Sequence, residues 1–170
     1  MNKTYDIVIV GAGVAGSAAA TAFARQGREV LLLERNLKEP DRIVGELLQP
    51  GGVFALEELG LNDCLQGIDS VPVKGYHIYW RDEEITFWYP PRPQNGGDPS
   101  KIRAQGRSFH HGRFITNLRS AARREEKVTV LESTVTDFVR DEQTGAVIGV
   151  ECTDCEKQRL TVRDHPYCSD

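Results

Sequence analysis

Three glycines and one glutamate carry the first legible chemistry. Gly11, Gly13 and Gly16 stand in the run Gly11-Ala12-Gly13-Val14-Ala15-Gly16, and Glu34 ends the next apolar stretch. The first glycine permits a tight turn out of a strand. The second lets the backbone approach a pyrophosphate, and the third lets a helix pack closely on a sheet. A helix that opens at such a turn offers unpaired N–H groups and its positive dipole end to phosphates. A carboxylate at the end of the following strand can accept hydrogen bonds from ribose hydroxyls. Together these are the parts of a dinucleotide site. The plain alternative is a glycine turn in an ordinary strand–helix–strand unit.

The elements that must position these residues are present in order. Tyr5-Asp6-Ile7-Val8-Ile9-Val10 reads as a buried parallel strand, residues 17–26 as an Ala-rich helix, and Glu29-Val30-Leu31-Leu32-Leu33-Glu34 as a second strand ending in the acid. A glycine motif alone is weak, but here the strand, the helix and the distal carboxylate all fall at the expected places.

Bulk properties narrow the class. The 170 residues suffice for one domain with a real core and hardly for two. A net charge of −4 argues against a nucleic-acid binder held by phosphate contacts. The basic run 119–124 is followed by Glu125 and Glu126 and reads as a solvated helix face. No stretch reaches the ~18 apolar residues that cross a bilayer, and residues 5–10 are too short for a secretory signal. Of Cys64, Cys152, Cys155 and Cys168, the pair Cys152 and Cys155 forms a CxxC. It has no second pair or histidine at zinc-ligand spacing, and it lies in a strand-and-turn segment rather than at a helix start. Reduced, incidental thiols are the expectation.

Residues 35–52 read as a long ordered loop with one helical turn, a length that is often functional. Residues 53–61 carry apolar side chains at helical spacing, closed by Gly60. Strands are expected over 71–80 and 84–89, then a Pro- and Gly-rich excursion over 90–106. A helix over 112–126 follows, then strands over 128–132, 135–140 and 146–152, the last two joined by the turn Asp141 to Gly145. Residues 159–163 supply a further strand.

Two longer strings make the pattern specific. They are Asp41-Arg42-Ile43-Val44-Gly45-Glu46-Leu47-Leu48-Gln49-Pro50-Gly51-Gly52 and Gly106-Arg107-Ser108-Phe109-His110-His111-Gly112-Arg113-Phe114-Ile115. With Glu34-Arg35 and Lys74-Gly75-Tyr76, they closely resemble squalene monooxygenases (squalene epoxidases), over residues 5 to about 162. The resemblance implies an α/β fold: a Rossmann-like FAD-binding domain of the para-hydroxybenzoate-hydroxylase-like flavin monooxygenase type, with a β-meander and an inserted β piece. Residues 1–163 would be part of that FAD-binding domain, with 71–106 beginning the substrate side and 164–170 a divergent tail.

It also implies roles. Gly11, Ala12, Gly13 and Gly16 would hold the FAD pyrophosphate, and Glu34 the adenosine ribose with Arg35 beside it. Arg42 and Arg119 fall on flavin-contacting arginines, while Leu47 and Val135 fall on residues whose backbone meets the cofactor. Gln49 and Tyr76 match positions near the flavin and the substrate, and no catalytic residue is assigned to either histidine of the His110-His111 pair. Without the resemblance, Arg35 and Arg42 would read as solvated loop charges, Arg119 as a surface residue and Tyr76 as strand packing. Adjacent histidines on a strand would face opposite ways.

The implied activity is epoxidation of squalene to 2,3-oxidosqualene with O2 in sterol biosynthesis. NADPH-cytochrome P450 reductase would be the electron donor, at the cytosolic face of the endoplasmic reticulum membrane. Charge and cysteine spacing leave no nucleic-acid partner and no metal expected. Family members continue into an Asp-Gly motif, further cavity walls and C-terminal membrane helices, so the chain is expected to be a truncated form that binds FAD weakly and is inactive alone. Two alternatives stand beside this reading: another FAD-dependent monooxygenase or reductase of isoprenoid or aromatic substrates, and a non-catalytic FAD-fold module.

Overall fold

The computed structural model describes residues 4–91 and 103–154, together with the backbone of 159–163. Cys155, Cys168, most of the excursion at 90–106 and the tail 164–170 lie outside the described residues. The chain divides into two compact units, one built from residues 1–40 and 115–170, the other from 41–114.

In the first unit, β1 (Ile7–Val10), β2 (Val30–Glu34) and β8 (Val128–Arg140) run parallel at the start of a five-stranded sheet. The order is β1-β2-β8-β9-β10, with β9 (Val147–Asp154) and β10 (Arg159–Arg163) added antiparallel. Val30, Leu31, Leu32 and Leu33 are all fully buried, because β2 is central and covered on both faces. Val30 and Leu32 join Ala20 and Ala24 of α1 (Val14–Arg25) and Ala122 of α3 (His111–Arg124) in one cluster. Leu31 and Leu33 face the opposite way and pack with Tyr5 and Val150. Alanines on α1 let the helix lie close to the sheet, and they also favour helix intrinsically.

β8 is one strand of thirteen residues, where the sequence pattern separates 128–132 from 135–140. Its first half pairs with β2 up to Glu34 opposite Glu132, and its second half pairs with β9. The polar residues that look like a break are absorbed: Ser133 is buried and its Oγ donates to the Thr153 carbonyl at 2.9 Å.

The second unit holds a three-stranded antiparallel sheet of order β3-β7-β4, formed by Leu47–Leu48, Gly106–Ser108 and Val71–Val73. Helix α2 (Pro50–Glu58) follows β3, three residues earlier than the helical spacing from 53 indicates, and places Pro at its first position. It ends in a turn with Gly60 at φ +66, where Leu61 N–H donates to the Leu56 carbonyl at 2.7 Å. A 3-10 turn at Asn62–Leu65 comes next. The expected long strand over 71–80 is broken at Lys74 into β4 and β5 (Gly75–Trp80), and β5 forms a hairpin with β6 (Glu83–Trp88).

Candidate cofactor site

In the first unit the glycine turn, Glu34 and the bend of β8 beyond Glu132 all lie at the carboxyl ends of the parallel strands. That end of a parallel sheet is where open α/β folds receive ligands. Gly11 has φ +99, a conformation costly for any residue with a Cβ, and its N–H donates to the Leu33 carbonyl at 2.7 Å. Gly16 is the tightest point. A Cβ there would stand 1.9 Å from the Gly11 carbonyl oxygen. Gly13, the N-cap of α1, faces open space instead: a Cβ would meet nothing within 4 Å.

The helix has no side-chain cap and no acidic residue in its first turn. Its opening amides are therefore left to solvent or to an anion. A dinucleotide pyrophosphate fits this cradle in charge and in room.

Glu34 does more than end β2. Its Oε2 accepts the Ala12 N–H at 2.7 Å, and its Oε1 accepts the Asn36 N–H at 3.2 Å. A carboxylate offers about four lone-pair sites, so Oε1 keeps capacity for a ribose hydroxyl. Arg119 completes the clasp. Its Nε donates to the Ala12 carbonyl at 2.8 Å, its Nη1 to the Lys38 carbonyl at 3.0 Å, and its Nη2 lies 3.5 Å from Glu34 Oε2. Both backbone polar groups of Ala12 are thus held, one by the acid and one by the arginine. Read by pattern alone, Arg119 belongs on the helix surface; it is instead 5% exposed. The cause is tertiary, since the carbonyls it serves belong to residues 107 and 81 positions away in the chain.

The remaining predicted positions divide between the units. Arg35 lies exposed in the loop after β2. Val135 packs against the cluster that holds Tyr5, Leu31, Leu33 and Val150, and pairs with Cys152. It sits beyond the end of β2, so among the described residues no strand pairs with that edge of β8 there, and a bulge follows before Asp137. Arg42, Leu47, Gln49 and Tyr76 belong to the second unit. Arg42 is exposed. Leu47 pairs with Ser108, and the Phe109 N–H donates to the Glu46 carbonyl at 3.0 Å. Hydrogen-bonded and non-bonded pairs alternate in an antiparallel ladder, so the polar backbone groups of Leu47 point away from β7.

Gln49 and Tyr76 meet directly, Gln49 Nε2 donating to the Tyr76 hydroxyl. A third residue, Tyr89, joins them without any motif to mark it: its hydroxyl donates to Gln49 Oε1 at 2.5 Å. The only local signal for it is an aromatic residue at a strand end before Pro90 and Pro91. Burial first, and then the neighbouring Tyr76 hydroxyl, push the Tyr89 phenol up to about 12, against a smaller opposing pull from Gln49.

His110 and His111 do not lie on a strand. They flank the start of α3, where His110 Nε2 is 3.8 Å from Asp69 and His111 Nδ1 is 3.4 Å from the Gly45 carbonyl. Arg113 donates to the same Asp69. Among the described residues no group of three or more His, Cys, Asp or Glu side chains could hold a metal.

The fold is that of the para-hydroxybenzoate-hydroxylase-like FAD proteins, and the glycine turn has the shape of a dinucleotide site. Residues 6–49 match the FAD dependent oxidoreductase family. The backbone resembles a myxobacterial chondrochloren halogenase, a variant of the FAD-dependent halogenases, with TM-score 0.78 and 26% identity over 95% of this chain and 36% of that one. A flavin-dependent brominase shares the fold at TM-score 0.76 and 21% identity, over 95% of this chain and 36% of its own.

Along its length the chain is similar to squalene epoxidases. It is 53% identical to squalene epoxidase of Aspergillus fumigatus over 94% of this chain. It is 46% identical to squalene monooxygenase of Mus musculus over 89%. The chain spans 32% and 25% of those two proteins, so it corresponds to about a third or less of the relatives it matches.

Proposed function

We propose that this chain is the FAD-holding portion of an enzyme that epoxidises squalene to 2,3-oxidosqualene in sterol biosynthesis. The observation that carries the reading is 53% identity to a squalene epoxidase across nearly the whole chain, over a turn shaped for a pyrophosphate. FAD, when bound, supplies the redox chemistry that activates O2. The chain supplies position. Gly11, Ala12, Gly13 and Gly16 cradle the pyrophosphate, and Glu34 takes the ribose through Oε1, with Arg35 beside it. Arg119 holds the turn so that its amides stay aimed at the phosphates. Arg42 and the backbones of Leu47 and Val135 make the outlying cofactor contacts, while Gln49 and Tyr76 face the substrate side.

NADPH-cytochrome P450 reductase as electron donor, and the endoplasmic reticulum membrane as location, belong to the same proposal. Among the described residues no helix is long and apolar enough to cross a membrane. A chimera tests the reading: this chain replaces the 160 matching residues of the Aspergillus fumigatus enzyme. With reductase, NADPH, FAD and squalene, the chimera is expected to form 2,3-oxidosqualene. A chimera that retains FAD yet leaves squalene unconverted would overturn the substrate assignment. Failure of both the chimera and the chain to take up FAD would overturn the cofactor site.

A further inference from the structure

Gln49 occupies an unusual place for its type. It is the N-cap of α2, and its backbone carbonyl accepts the Gly52 and Val53 N–H groups at 2.9 and 3.2 Å. Short side chains such as Ser or Asp normally stand here and bend back onto the helix amides. Gln49 makes no side-chain cap bond. Its carboxamide is committed instead to two phenols, accepting from Tyr89 and donating to Tyr76.

The two rings also touch, edge to face, with centroids 5.6 Å apart and planes at 78°. Tyr89 is buried and fixed, directly after β6, with its N–H donating to the Lys74 carbonyl at 2.9 Å. Tyr76 is 43% exposed. Every donor in the row therefore points the same way, from the buried phenol through the amide to the exposed one.

We propose that Tyr89 is a positioning residue: by donating to Gln49 Oε1 it fixes the carboxamide so that Nε2 faces Tyr76, leaving the Tyr76 O–H proton directed outward as a donor to an acceptor oxygen of the ligand. Without the Tyr89 hydroxyl, the amide is free to turn its oxygen to Tyr76, which then spends its proton inward. Each bond in a row of donors also polarises the next. Squalene is a hydrocarbon and offers no acceptor, whereas the oxirane oxygen of its epoxide does. The ligand contact therefore falls on the product, a point that rests on the reaction proposed above.

Tyr89→Phe tests this because it keeps the ring, its burial and its edge contact and removes only the hydroxyl. Two measurements are made. In the 170-residue chain, hydrogen exchange of the Gln49 side-chain amide is followed by NMR. The variant is expected to lose its protection while the backbone signals of β5 and β6 stay in place. In the chimera, inhibition by 2,3-oxidosqualene is expected to weaken about fivefold with KM for squalene unchanged, the scale of one hydrogen bond.

Gln49→Glu adds a test of direction. A carboxylate only accepts, so both tyrosines would donate to it and the epoxide affinity should fall as in Tyr76→Phe. An unchanged Gln49 amide in Tyr89→Phe overturns the positioning role. A changed amide with unchanged epoxide affinity overturns the outward donor. If the unmutated chimera makes no oxidosqualene, the reaction assignment fails, and the amide measurement still decides whether Tyr89 positions Gln49.

Discussion

Gly16→Ala sets two known effects against each other, and the geometry says which wins. Within a helix, alanine is favoured over glycine by about 1 kcal/mol. At Gly16 the new Cβ would stand 1.9 Å from the Gly11 carbonyl oxygen, 3.1 Å from its carbon and 3.3 Å from Ile9 Cγ2. Close carbon–oxygen contacts settle at about 3.3 Å, so the overlap is about 1.4 Å. The obstacle is backbone, and it is anchored on both sides. Gly11 N–H is bonded to Leu33, and Ala12 is clasped by Glu34 and Arg119.

The start of α1 must therefore lift off β1. Overpacking typically costs about 1–3 kcal/mol, and a clash with fixed backbone belongs at the upper end. Less the propensity gain, the expected net loss is about 2 kcal/mol. With a urea slope of about 2 kcal/mol per molar, the unfolding midpoint should drop by about 1 M. Gly13→Ala is the control. Its Cβ meets nothing within 4 Å and its φ is −82, so its midpoint should stay put while FAD affinity falls. A Gly16→Ala midpoint equal to or above that of the unmutated chain would refute the close-packing account.

Arg119→Met keeps much of the buried stem but strips two carbonyls of their donor and Glu34 of its cation, so urea unfolding should show a loss of about 3 kcal/mol; a midpoint within error of the parent would show that the clasp contributes nothing. For Tyr89, the phenol ionises at about 12 in the folded chain against 10 as its ordinary value. The unfolded chain thus gives up this proton first, and stability is lost as pH rises from 10 towards 12. Tyr89→Phe should flatten that part of the alkaline stability profile, and an equally steep profile would count against the raised value. Both tryptophans, Trp80 and Trp88, lie in the β5–β6 hairpin at 69% and 59% exposure. Their fluorescence should resemble that of free tryptophan and be quenched by iodide; protected, blue-shifted emission would show that the hairpin is covered in solution.

Some of this was written locally in the chain. The glycine spacing, the Ala-rich helix and the run Val30-Leu31-Leu32-Leu33 make β1, α1 and β2 legible, because each is decided by neighbours a few residues away. The helix over α3 is legible for the same reason, since Phe114, Ile115, Leu118, Ala121 and Ala122 repeat at helical spacing and are all buried. The two-residue strand β3 is not. Leu47 and Leu48 become a strand only through Ser108 and Arg107, about sixty positions on. The unity of β8 is hidden too, because a strand that exchanges β2 for β9 midway changes its burial pattern at the exchange.

The amino-acid sequence by itself determined the glycine turn with its flanking strand and helix, and which family it resembles; it also named the residues that could line a dinucleotide there. Spacing along the chain suffices for that, since turn, helix start and strand end are local geometry. Only the tertiary structure decided what Arg119 and Tyr89 do. Arg119 sits 107 positions from the carbonyl it holds, and Tyr89 sits 40 from the amide it fixes. Residues that far apart share no local pattern; burial and unmet hydrogen-bonding groups bring them together, and both exist only once the chain has folded.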